Sequence, residues 1–62
     1  MLVYEVVTKF FDTGKVTVHF HTYDLEKKPD DRCDETSKCD IYHDYFTSKK
    51  KASEHYNNAK MA

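Results

Sequence analysis

Glycine and proline are nearly missing from this chain of 62 residues, where Gly14 and Pro29 stand alone. Their scarcity excludes a collagen-like repeat and a low-complexity linker, both of which are built on those two residues. Long hydrophobic runs are also missing, and nothing approaches the roughly 20 apolar residues that span a bilayer. Excess charge of one sign is lacking: 10 Lys and Arg against 11 Asp and Glu leave a net −1. That balance removes the argument for a large basic footprint on nucleic acid. The start, Met1-Leu2-Val3-Tyr4-Glu5, meets an acid too early for a signal peptide, and no small-residue cleavage site follows. A cytoplasmic location is therefore expected, with Cys33 and Cys39 in a reducing compartment.

What is present is aromatic. Five Tyr and four Phe make up 15% of the chain, against an apolar fraction of only 39%. A disordered chain of this polarity would have few rings, so the composition points to a folded domain. The whole chain, 1–62, reads as one small α+β domain. At this size folding buries only about 60% of the surface of the unfolded chain, which leaves a thin core. Wall residues for a deep substrate cavity would come out of that core, and an enzyme is not expected.

Residues 2–11 are rich in β-branched and aromatic types. Alternation puts Tyr4, Val6, Thr8 and Phe10 on one strand face, and Val3, Glu5, Val7, Lys9 and Phe11 on the other. Gly14 in Asp12-Thr13-Gly14-Lys15 suits the positive φ that a three-residue hairpin loop with a bulge requires. In residues 15–23, Val16, Val18 and Phe20 alternate with Lys15, Thr17, His19 and His21. The hairpin is therefore set at 2–23. Residues 24–40 carry Pro29, mixed charge and no periodicity, and read as an exposed acidic loop. Seventeen residues is long for a connection in so small a domain, which points to a functional or mobile segment. A third strand is expected over 41–47, with Tyr42 and Phe46 inward. Ser48 then supplies an N-cap hydroxyl for a helix over 49–60, where Ala52, Tyr56 and Ala59 recur at helical spacing. The predicted architecture is β-β-β-α, a three-stranded antiparallel sheet covered on one face by the helix.

Three groups of residues could carry chemistry. Cys33 and Cys39 enclose five residues, wider than the usual cysteine spacing of a structural zinc site, whose other ligands here would come from His19, His21, His43 or His55, with His19 and His21 near each other on one strand face. A disulfide would close and stiffen the same loop, and two free thiols are the third alternative. The four histidines offer no catalytic set: His43 and Asp44 are strand neighbours that point to opposite faces, and no nucleophile elbow or phosphate-cradling Gly loop is present. The third group is the outer-face rings. With Tyr4, Phe10, Phe20, Tyr42 and Phe46 filling the space under the helix together with its own Tyr56, Phe11, Tyr23 and Tyr45 remain outside with Val3, Val7, His19, His21 and His43. A contiguous surface of that kind marks a site of binding or self-association.

Charge is uneven along the chain. Residues 24–44 hold eight acids and four bases, net −4, and residues 45–62 hold four Lys and one Glu, net +3. Asp30, Asp31, Asp34 and Glu35 could steer a partner, whereas Lys49, Lys50 and Lys51 could touch phosphate. Solvation of a charged surface is the plainer reading of either run alone.

A short chain that opens on a hairpin and closes with an aromatic strand, a Thr-Ser cap and a Lys-rich helix resembles the compact accessory proteins of bacteriophages and other mobile elements. The likeness covers the layout of the whole chain and rests on Tyr42–Ala52 and the hairpin turn. It implies a protein that binds and blocks a host enzyme, and it assigns no residue a role.

The expected function is accordingly a non-enzymatic protein-interaction module. It would bind a partner, or a second copy of itself, through Phe11, Tyr23, Tyr45, His19 and His21, steered by the acidic loop. Two alternatives stay open. One is a module for single-stranded nucleic acid that uses sheet aromatics and Lys49–Lys51; the other is a small domain stabilised by zinc on Cys33, Cys39, His19 and His21. No other cofactor and no membrane partner is expected.

Overall fold

The computed structural model describes residues 1–61. β1 (Leu2–Phe11) and β2 (Val16–Asp24) form the predicted hairpin, followed by β3 (Arg32–Glu35), β4 (Cys39–Phe46) and α1 (Lys49–Lys60). The sheet is antiparallel with strand order β2-β1-β4-β3. The hairpin turn closes through Gly14 N–H donating to Phe11 O at 2.9 Å and Phe11 N–H donating to Lys15 O at 2.9 Å. Gly14 sits at φ +89°, a backbone conformation that costs glycine little.

The sheet has four strands where three are expected. β3 lies inside the segment 24–40 read as loop, and the strand placed at 41–47 spans Cys39–Phe46. All four β3 residues are exposed, so nothing in their side chains marks a strand. β4 supplies the hydrogen bonds, pairing Arg32 with His43 and Glu35 with Asp40. The backbone ladder stops at Arg32, and just before it the Asp31 side chain takes over, its Oδ1 accepting the Tyr45 N–H at 2.8 Å.

β1 is central, bonded to β2 on one side and β4 on the other, and it holds most of the core. Val3 and Val6 are fully buried and Val7 nearly so. The register sets two faces. One carries Tyr4, Val6, Thr8, Phe10, Val16, Val18, Phe20, Asp40, Tyr42, Asp44 and Phe46. The other carries Val3, Glu5, Val7, Phe11, His19, His21, Tyr23, His43 and Tyr45. This is the predicted division, with Tyr42 and Phe46 on the helix side.

The helix starts where expected, with Ser48 Oγ accepting the Lys51 N–H at 3.3 Å. Ala52 is fully buried, its short side chain letting the helix approach the sheet. Tyr56 meets Phe20 edge-on at 5.9 Å between ring centroids, Phe20 meets Tyr4 at 6.1 Å, and His55 meets Phe46 at 5.4 Å. Twelve residues make a helix of about 18 Å, against a longest molecular dimension of 37 Å. Coverage is therefore partial. Phe10 and Tyr42, expected beneath the helix, remain 41% and 40% exposed. No helix among the described residues is long and apolar enough to cross a membrane.

Candidate functional site

The helix-free face is organised in rows across the strands. Glu5 stands between His21 on β2 and Tyr45 on β4, and Val7 between His19 and His43. Val3 is opposite Tyr23. Longer side chains on the flanking strands thus border short ones on the central strand, and Glu5 is only 6% exposed although no helix covers it.

A buried carboxylate needs donors. Tyr23 donates its phenol to Glu5 Oε1 at 3.1 Å, and His43 Nδ1 lies 3.1 Å from Glu5 Oε2. Burial alone would raise the Glu5 pKa, but hydrogen bonds from Tyr45, His43 and Tyr23 outweigh it and hold the carboxyl below its ordinary value. Tyr45 responds in the opposite sense: burial first, then hydrogen bonding to Glu5, pushes its phenol up to about 12. The Tyr23 phenol is raised as well, chiefly by its hydrogen bond to Glu5. His43 continues the network, its Nε2 lying 3.3 Å from Asp34 Oδ2, while Arg32 Nε lies 3.5 Å from the same oxygen. A neutral imidazole can donate to only one of two carboxylates; an imidazolium serves both.

The predicted binding residues divide. Tyr23, Tyr45, His19 and His21 share the open face, with His19 and His21 stacked at 6.4 Å and His21 at 6.2 Å from the Tyr23 ring. Phe11 is on that face but half-buried at its far end. The acidic loop does not act as one unit. Asp31 caps a backbone N–H, Asp34 joins the His43 network, Glu35 pairs with Asp40 on the helix side, and Asp30 precedes the strand.

Lys49, Lys50 and Lys51 form the first turn of a helix on the opposite side of the sheet from Tyr23 and Tyr45. Cys33 is opposite Tyr42 in the β3–β4 ladder, so it shares the helix-side face, whereas Cys39 is opposite Phe11 on the open one. Both cysteines are free thiols. The quartet of Cys33, Cys39, His19 and His21 is not assembled, and no group of three metal-ligating side chains gathers among the described residues. Glu5 is a site residue that strand alternation alone does not single out. The available signal is an acid in the middle of Val3-Tyr4-Glu5-Val6-Val7, on the strand face shared with His43, Tyr23 and Tyr45.

The fold and this face define a small α+β protein, a four-stranded antiparallel sheet with one C-terminal helix. Comparison with known families, known proteins and solved structures finds no match.

Proposed function

We propose that this chain is a non-enzymatic protein-interaction module that docks a larger protein on its helix-free sheet face. The observation that supports this reading is that the uncovered face is paved with Tyr23, Tyr45, His19, His21 and His43 around the buried carboxylate of Glu5. Tyrosine and histidine rings offer apolar area with a hydrogen-bonding tip, which suits a surface that is wet when alone and covered when bound. The two long dimensions of the molecule, 37 and 22 Å, bound the face at about 800 Å², the share each partner gives to a standard interface. The Glu5 network also fixes the rotamers of Tyr23 and His43 in advance, which lowers the ordering cost of binding. The layout resemblance suggests the outcome, inhibition or modulation of a host macromolecule.

A photo-crosslinking residue at position 21 should capture a discrete partner or a second copy, and one at position 50 should not. With the captured protein purified, His19→Ala combined with His21→Ala should raise Kd at least about tenfold with unchanged circular dichroism. Crosslinking from position 50 alone would instead favour the helix surface and remove this reading.

A further inference from the structure

The two edges of the sheet, β2 and β3, are guarded very differently. β3 is short, and Arg32, Asp34 and Glu35 make it charged. Shortness and charge both deter another strand from pairing. β2 has nine residues, Val-Thr-Val-His-Phe-His-Thr-Tyr-Asp, with no proline, glycine or lysine, and Asp24 at its end is its one acid. Its register with β1 runs from Leu2–Asp24 to Phe10–Val16 with no bulge to turn the edge away.

The hydrogen bonds fix which β2 groups face outward. Hydrogen-bonded and non-hydrogen-bonded residue pairs alternate along an antiparallel ladder. Leu25 N–H donates to Met1 O at 2.9 Å, which extends the β1–β2 register. Asp12 N–H donates to Lys38 O at 3.0 Å, which extends the β1–β4 register. Odd-numbered β2 residues therefore bond β1, and even-numbered β1 residues bond β4. The N–H and C=O groups of Val16, Val18, Phe20, Thr22 and Asp24 point away from the sheet, and no further backbone hydrogen bond reaches them among the described residues.

The strand that fits this edge is β2 itself. A two-fold axis through Phe20, perpendicular to the sheet, sets Phe20 opposite Phe20, Val18 opposite Thr22 and Val16 opposite Asp24. Those are the residues with outward groups, so every one of them is bonded along about 30 Å of ladder. Between them His19 meets His21 and Thr17 meets Tyr23. Antiparallel order also suits the charge. Each Asp24 comes beside Val16 and the preceding Lys15 of the other copy, whereas parallel order would set the two acids together. Phe20, half-buried below Tyr56, continues the apolar stripe of the helix side from one copy to the next.

We propose that β2 is a self-association edge, where two copies pair antiparallel about Phe20 into one continuous sheet. The contact is isologous and closes on itself, because the edges left over are the charged β3 strands. It runs in the plane of the sheet and does not rest on the docking reading, since both helix-free faces stay open on one side.

Sedimentation of the full chain across a dilution series should show a monomer–dimer equilibrium. Amide exchange compared at high and low concentration should show the Val18, Phe20 and Thr22 amides gaining protection in the dimer. The Thr17, His19 and His21 amides, already bonded to β1, should change little. Thr22 is exposed, and Thr22→Pro removes an outward N–H without breaking the β1 ladder. It should weaken dimerisation at least about tenfold. His19→Ala combined with His21→Ala, which disables the docking face, should leave the alternating protection in place. A chain that stays monomeric at every concentration overturns the proposal. So does a dimer in which odd and even β2 amides are protected alike, or one that folded Thr22→Pro forms as well as the native chain.

Discussion

His43 Nδ1 lies 3.1 Å from Glu5 Oε2 at the centre of the sheet face that no helix covers. The pair joins the central strand to β4 by a side-chain contact in addition to the ladder, and Tyr23 brings in β2 through the same carboxylate. One buried acid on β1 thereby links three strands.

Replacing that acid should be costly. Glu5→Gln keeps the size but removes the charge that the Tyr23 phenol and the His43 ring address. Hydrogen bonds to a charged group are worth about 2 kcal/mol each, and a loss of that order is expected in urea denaturation. The pH dependence follows from the sign of the shift. Glu5 titrates below its ordinary value of 4.5 in the folded state, so its stabilisation is complete above that value and declines as pH falls below it. The Glu5→Gln variant should show a flatter stability curve over that acid range, and an equally steep curve would assign the acid sensitivity to other carboxylates.

The alkaline limb belongs to Tyr45. Its phenol is held up to about 12 in the folded protein against 10 for a free tyrosine. A raised pKa contributes stability that is complete below pH 10 and declines as pH climbs through about 12. Ultraviolet titration should show one tyrosine ionising last, together with loss of structure, and Tyr45→Phe should remove that late step.

Asp31 should prove structural. Its Oδ1 takes the Tyr45 N–H at 2.8 Å, one residue before β3 begins at Arg32. Asp31→Ala should cost about 1 kcal/mol and speed hydrogen exchange at the Tyr45 amide more than at the amides of β2. Uniform acceleration across the sheet would indicate a general loss of stability.

The cysteines should stay apart under mild oxidation. Cys33 is opposite Tyr42, three positions along β4 from Cys39 and on the other face of the sheet. That offset is about 10 Å along the strand, beyond the roughly 7 Å between Cα atoms that a disulfide tolerates. Thiol titration after exposure to a mild oxidant should still count two thiols in the monomer; an intramolecular bond would mean that β3 leaves β4 readily.

The hairpin, the division of the faces and the helix were legible because each depends on periodicity or a capping hydroxyl, which a sequence displays directly. β3 was not, because Arg32-Cys33-Asp34-Glu35 buries nothing and owes its conformation to the backbone of β4. Tyr42 lies on the expected face but not beneath the helix as the alternation suggests, because facing follows alternation whereas coverage depends on helix length. Glu5 was read only as one member of a strand face. Its role depends on Tyr23, His43 and Tyr45, which lie 18 to 40 positions away and which only the β1–β2 and β1–β4 registers bring beside it.

The central position of β1 has a bearing on synthesis. It leaves the ribosome well ahead of its second neighbour, and β4 begins only at Cys39. Until then the nascent hairpin has one bare edge, Val3-Tyr4-Glu5-Val6-Val7, rich in β-formers and open to pairing with another strand. Glu5 is the single charge in that stretch. The acid that later fastens three strands together first serves as a gatekeeper against mispairing between nascent chains.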